Sequence, residues 1–534
     1  MSRHAGSSQA SRRSILSLMA ASGLTGLLPG RALAQTLPAF SMVLAESVAD
    51  DPGLSAFYRN TNYMPVWTGS EHGARRAAFV TALSQAGDQG LPTGQYDLEG
   101  LIAGYHAVSS ERDRARIEAR TSKLFVRYAR DLGSGVLDPI QIIPQIVRTL
   151  PRPDVASLMH DFAMAEPAAF IRNMVPSCPE YARLLRSIYH LREKIIQGGW
   201  GPAVTSLSLR PGDLGGAVVA LRDRLIEMGY LARTAVATYD HRIQTAVARF
   251  QSFHGIAATG VADAATLAEI NISPEARLRS LTVALERERW LNIPRGQRHI
   301  WVNLADFTTQ IMDDDLVTLD TVSIIGGRPN DTQTPEFSHQ MTYLEVNPDW
   351  TLPRSIVART YWNSLVSGGA RQLDVIDSAG RVVPRSSINF SRYTARTFPY
   401  SLRQAPGPTN PLGTVKFMFP NPWAIYLHDS PERQLFNNEL RAFSAGCIRL
   451  REPHEFAYEL LSRQSDDPIE LFQSTLRSQR QTRIQLEQPV PVHLEYRTAF
   501  TTARGGVHFR KDVYDRDTKL YDALDQLGAI FRFS

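Results

Sequence analysis

Along the first half of the chain apolar residues recur every three or four positions, whereas beyond about residue 300 they begin to alternate. In "EARTSKLFVRYARDLGSG" Leu124, Phe125, Tyr128 and Leu132 fall on one helical face, and glycines follow as stop signals. "PEYARLLRSIYHLREKIIQGG" repeats the design through Leu184, Leu185, Ile188, Leu191 and Ile195. These stripes predict a mainly helical scaffold over 36–205. The aromatic run "FYRNTNYMPVW" (57–67) reads as packing between helices, with glycan docking as the alternative.

A smaller unit follows over 209–273. It opens on a Pro211-Gly212 turn and Asp213, a residue able to cap, and continues with an apolar face of Val218, Leu221, Leu225 and Met228. A second helix, 239–253, carries Ile243, Val247, Phe250 and Phe253, and a short third begins near Asp263. Residues 277–290 read as a charged amphipathic helix. "HIWVNLADFTTQIM", "DLVTLDTVSIIGG", "MTYLEVNPDWTLP", "TVKFMFP" and "WAIYLH" then read as strands. "VPVHLEYRTAF" with "GGVHFRKDVY" predicts a closing hairpin. A β-rich unit is expected over 298–515, interrupted at 353–408 by an irregular insertion with a helical piece near 361–366, and followed by a tail at 516–534. Such an insertion beside a catalytic candidate reads as a lid. The whole is a multi-domain α+β chain.

Residues 1–34 have a leader's logic: a positive start, an apolar stretch from Ile15 to Leu28, and Ala32-Leu33-Ala34 before Gln35. Arg12 and Arg13 give it the look of a twin-arginine export signal, an ordinary secretory leader being the other reading. Cleavage after Ala34 removes Arg3, Arg12, Arg13 and Arg31 and no acid, so the formal charge drops from +5 to +1. The remaining charges are interspersed, which argues against a nucleic-acid partner. No stretch reaches the ~18 apolar residues of a spanning helix.

The chain has two cysteines, Cys178 and Cys447, 269 positions apart in different predicted domains, so a disulfide between them is not expected. Cys178, between two prolines in "VPSCPE", has no nearby catalytic partner in the sequence and reads as structural or incidental. Cys447 in "FSAGCIRL" is either a nucleophile or a small buried filler. A thiol needs a base or a positive environment to react. His428 ends the run "WAIYLH", and the polar stretch between it and Cys447 is turn-rich enough to double back. Gly446 permits a turn that aims backbone N–H groups at one spot, as an oxyanion hole requires. Arg449 would brace the turn, hold a carboxylate or favour thiolate, and Ser444 would donate to the loop or to substrate. Spacing alone leaves nucleophile and filler both open.

Two resemblances bear on the choice. "GYL" and "AVARFQSFHGIAATGVADAATLAEIN" resemble the peptidoglycan-binding type 1 domain. "YLHDS" and "RAFSAGCIRL" resemble the signature blocks of the L,D-transpeptidase catalytic domain, and "TPEFSHQMTYLEVNPDWTLPRSI" and "LRQAPGPTNPLGTVKFMFPNPWAIYLHDS" extend the likeness to that family's large proteobacterial subgroup. The resemblance implies Cys447 as acylated nucleophile and His428 as general base, with Gly446, Ser444, Arg449 and Tyr426 in oxyanion and substrate-binding roles. It implies no metal and no cofactor. It implies peptidoglycan tetrapeptide stems as donor and acceptor, joined by 3-3 cross-links in the periplasm, and leaves room for protein partners of wall synthesis. The alternatives are an L,D-carboxypeptidase or endopeptidase on the same scaffold, or a wall-binding protein without activity. Two positions depart from the commonest pattern: Ala445, where histidine is frequent, and Asp429, where glycine is frequent.

Overall fold

In a computed structural model, residues 38–502 and 505–531 are described; the leader reading, at 1–34, lies outside them. The Glu111–Ser134 helix buries Phe125, Tyr128 and Leu132 at the centre of the scaffold. The aromatic run at 57–67 packs onto it. Trp67 is fully buried and stacks on Phe162 at 5.0 Å. The buried Glu118 carboxylate accepts from the N–H groups of Val66 (2.6 Å) and Thr68 (2.9 Å) and from the Tyr58 hydroxyl (2.8 Å). A buried charge is tolerable because it is this thoroughly hydrogen-bonded.

The small unit has helices Gly216–Glu227, His241–Phe253 and Ala264–Ile270 around Val218, Leu221, Leu225, Ile243, Val247 and Phe250, all fully buried. Asp263 caps the third helix through Thr266 N–H. Asp213 caps no helix; its carboxylate accepts from Arg210 N–H within the preceding turn.

The β-rich unit contains β1 (Arg298–Asn303), β2 (Thr308–Asp313), β3 (Leu316–Gly326), β4 (Phe337–Val346), β5 (Trp350–Thr351), β6 (Leu373–Ile376), β7 (Val382–Val383), β8 (Ser401–Gln404), β9 (Val415–Met418), β10 (Leu427–His428), β11 (Ala442–Ser444), β12 (Ile448–Leu450) and β13 (Thr482–Glu495). Nine of these run in the order β11-β3-β12-β10-β9-β4-β13-β1-β2. The long β3 pairs with β2 through 316–322 and with β12 through Ser323 and Ile324, so the sheet curls back on itself. The interior is apolar, from Ile300 and Val302 through Leu344 and Phe417 to Val492 and Leu494.

The insertion's β6, β7 and β8 join β5, which lies just before it, in a second sheet, β5-β8-β6-β7, over a core of Trp350, Leu373, Val375, Phe398 and Leu402. Its helical piece is Trp362–Val366. The predicted closing hairpin splits. "VPVHLE" is the end of β13, held between β4 and β1, and the hairpin proper is β14 (Ala499–Thr501) with β15 (Val507–Phe509). The expected tail carries a helix, Arg516–Leu527, whose Arg516, Leu520 and Leu524 are buried.

The largest departure concerns the helix read as amphipathic. Pro274–Trp290 is buried nearly all round, charged residues included. Glu286, Arg287, Glu288 and Arg289 are each at most 3% exposed, so every one needs an internal partner. Glu336 answers Arg287 with one oxygen and Arg516 with the other, each at 2.7 Å. Arg289 pairs with Glu286 at 2.9 Å, and Glu288 meets Arg497. Cys178 donates to Glu288 at 3.6 Å. The helix is thus a strut between scaffold and β-rich unit, its polarity matched from both sides.

Candidate functional site

Strand pairing arranges the signature residues. β10 lies between β9 and β12, with His428 opposite Lys416 on one side and Arg449 on the other. Neighbours in register share a face, and the faces alternate along each strand. Leu427, Phe417 and Ile448 therefore turn into the core, where all three are fully buried. His428, Lys416 and Arg449 turn the opposite way. Tyr426 and Cys447 immediately precede β10 and β12, two positions before His428 and Arg449, so the same alternation carried one residue further turns them toward that side, at the margin of the core. The fold brings Cys447, His428, Tyr426 and Arg449 onto one surface although the first two are nineteen positions apart.

His428 is 4% exposed and stands between two cations. Burial, and after it the Arg449 charge, push its imidazole down to about 3. Nδ1 lies 2.5 Å from the Asp429 carbonyl, which accepts only from a protonated nitrogen, so Nε2 is the basic one. Its ring meets Tyr426 edge-on at 5.6 Å.

Burial pushes the Cys447 thiol up to about 11, against the Tyr426 N–H and hydroxyl, Arg449 and Lys416, which all favour thiolate. Expected as a promoter of thiolate, Arg449 acts in that direction but is outweighed by burial. The sulfur donates to Ala424 O at 3.6 Å. Cysteine and histidine rest as a neutral pair. Tyr426 is hydrogen-bonded to the thiol, and burial raises its own hydroxyl well above the usual range. Its ring packs against the core of the β-rich unit and against that of the insertion.

The loop before the cysteine is stitched from inside. Ser444 Oγ donates to Cys447 O at 2.5 Å and accepts from Gly446 N–H at 3.0 Å. Gly446 N–H, expected as an oxyanion donor, is therefore committed to Ser444; the glycine's role here is conformational. Its φ is +131°, and a Cβ there would meet Ile425 at 3.1 Å. Arg449 reaches Glu432 and lies 3.5 Å from Ser430 Oγ.

Thr334, Tyr514, Thr414, Arg433 and Gly413 were not singled out by sequence, whereas Asp429 and Ala445 were, as departures from the commonest pattern. Thr334 Oγ1 donates to Gly446 O at 2.7 Å and accepts from Gly326 N–H at 2.9 Å. Tyr514 donates to Gly326 O at 2.7 Å. Asp429 is buried, accepts from Thr414 N–H and hydroxyl at 2.8 Å each, and pairs with Arg433 at 2.7 Å. It sits hard against Gly413, whose Cβ would strike it at 2.2 Å. A glycine with positive φ contacting a carboxylate from a distant strand leaves no local sequence signal. Ala445 is exposed.

Comparison with known proteins gives three family matches: residues 52–187 to a "Scaffold domain", 215–270 to a "Putative peptidoglycan binding domain", and 297–484 to an L,D-transpeptidase catalytic domain. A Haemophilus influenzae protein named "Putative L,D-transpeptidase" is 29% identical over 242 residues, 45% of this chain and 48% of that protein. The chain thus spans about half the length of this relative. A crystal structure of the L,D-transpeptidase (residues 123–326) from Xylanimonas cellulosilytica is 15% identical, over 55% of this chain and 98% of that one, at a TM-score of 0.18. Residues 297–484 belong to the L,D-transpeptidase catalytic domain family, and the chain joins that domain to a scaffold domain and a peptidoglycan-binding domain.

Proposed function

We propose that the chain is an exported, cysteine-dependent L,D-transpeptidase that forms 3-3 cross-links between peptidoglycan tetrapeptide stems. The observation that carries this reading is the shared face of β10 and β12, with Cys447 beside Tyr426 and His428 held in the tautomer of a base. The sulfur attacks the carbonyl between diaminopimelate and the terminal D-alanine. Because thiol and imidazole are both neutral at rest, the proton passes from sulfur to His428 Nε2 as the S–C bond forms. The Tyr426 hydroxyl and the Cys447 N–H are the donors for the oxyanion. Collapse breaks the C–N bond, His428 returns the proton to the leaving amine, and a thioester remains. The side-chain amine of a second stem then attacks the thioester carbonyl, its proton passing to His428 and from there to the sulfur as the C–S bond breaks, which restores the thiol. Arg449 and Ser444 act in substrate positioning and loop geometry.

The test is incubation of the protein with disaccharide-tetrapeptide and mass spectrometry of products and protein. A cross-linked dimer and a protein adduct are expected, with both lost in Cys447→Ala. Tripeptide monomer alone would make the enzyme an L,D-carboxypeptidase, and an adduct surviving in Cys447→Ala would remove the nucleophile assignment.

A further inference from the structure

A cavity of about 380 Å³ lies away from Cys447, where the Pro179–Ile196 helix, the peptidoglycan-binding unit and β15 meet. That volume is within the range of small-molecule sites. Its walls come from three parts of the chain: Arg186 and His190 from the scaffold side, Tyr230, Arg249 and Phe253 from the small unit, and Phe509 from the hairpin. The small unit is seated firmly here. Arg510 donates to Phe253 O at 2.9 Å, and Phe253 stacks on His508 at 4.3 Å. A Cβ at Gly506 would meet Phe253 at 2.3 Å, so only glycine permits this approach. The cavity is built into the docking rather than left between loose parts.

Its charge is one-sided. The one carboxylate on the wall, Glu227, is bound to Lys194 at 2.8 Å. Arg277 is committed to Glu269 at 2.5 Å. Arg186 and Arg249 are exposed and pair with no carboxylate among the described residues. Arg249 lies over the Phe253 ring at 5.6 Å, and two guanidiniums without a carboxylate partner beside aromatic walls fit a ligand that has carboxylates on an otherwise apolar frame.

We propose that this junction binds a carboxylate-bearing peptide stem of peptidoglycan, its carboxylates on Arg186 and Arg249 and its apolar parts against Tyr230 and Phe253, as a site separate from Cys447. The inference rests on the reading that the chain acts on peptidoglycan. It adds that the peptidoglycan-binding unit does not hold its ligand alone, because Arg186 lies outside it.

Photo-crosslinking of the full chain carrying Cys447→Ala with a diazirine-labelled disaccharide-tetrapeptide tests this, with adducts located by peptide mass spectrometry. Adducts are expected on the 186–200, 227–253 and 505–509 segments. They should fall at least ~10-fold in Arg186→Glu/Arg249→Glu and persist in Arg186→Lys/Arg249→Lys. As both side chains are exposed, the melting temperature of each variant checks folding. Adducts confined to peptides around Cys447, or junction adducts undiminished by charge reversal, overturn the proposal. Intact sacculi that suppress labelling identify wall-attached stems as the occupant; suppression by soluble fragment alone identifies a released one. Junction labelling in a chain that forms neither dimer nor thioester would leave this site standing and remove the acyl-transfer reading. Dimer formation without junction labelling would do the reverse.

Discussion

A thiol pushed up to about 11 beside an imidazole pushed down to about 3 is not a preformed ion pair. This sets a measurable pH response. Alkylation of Cys447 by iodoacetamide, followed on its own peptide, should be slow at about pH 7 and rise roughly tenfold per pH unit between about pH 8 and 10. A plateau already reached near pH 7 would mean that the thiolate is stabilised at rest. His428 shifts the other way: the unfolded chain takes up its proton near 6.5, the folded chain only near 3. Its contribution to stability is present above about 6.5 and is lost as the pH falls toward 3. Cysteine and histidine were legible as candidates through the resemblance of "YLHDS" and "RAFSAGCIRL" to two signature blocks, whereas their spacing of nineteen positions left nucleophile and filler both open, because the pairing of β10 with β12 that relates them is not local in sequence. Gly446 was legible as a special position, but not the fate of its N–H, which depends on a serine hydroxyl two residues away choosing its acceptor and donor.

At the scale of elements, the Pro274–Trp290 helix separates buried from exposed charge. Replacing Glu336 with Gln leaves Arg287 and Arg516 facing each other without their shared carboxylate. The expected loss is about 3–5 kcal/mol, read as a lowered urea midpoint. Glu111→Gln, which removes an exposed pair with Arg114 at 3.1 Å, should cost less than about 1 kcal/mol. Equal losses would show that the strut's charges are solvated. This helix is also where pattern reading went furthest astray: alternating acids and bases normally mark a wet face, and here a dry one stands because Glu336 and Arg497, far away in sequence, answer Arg287 and Glu288 while Glu286 answers Arg289 within the helix. Helices with a single apolar stripe, such as Leu184, Ile188 and Leu191, were legible because their burial needs no knowledge of the partner. The long β13 was mistaken for half a hairpin because Pro489 and Pro491 punctuate it; the register shifts between Gln485 and Val490, and pairing continues beyond.

Across the whole molecule, the strut reaches the cysteine loop in a few steps. Arg287 and Arg516 share Glu336, Arg516 donates to Thr334 O at 3.1 Å, and Thr334 holds Gly446 O. The small unit adds its own tie through Phe253 and Arg510. Deleting 209–273 is therefore expected to weaken retention on sacculi in a pull-down and also to lower the melting temperature of what remains, since Phe509 and His508 lose their cover. Unchanged retention would reduce the unit to a spacer.

Residues 274–290 fall between the matched segments 215–270 and 297–484, and belong to neither. The hairpin and final helix, 499–527, lie beyond the last match as well. Anyone trimming this protein at its family boundaries would discard the keel and keep the planks: a 297–484 fragment would lose Arg287, Arg516 and Tyr514 together, and with them the bracing of the loop on which Cys447 sits.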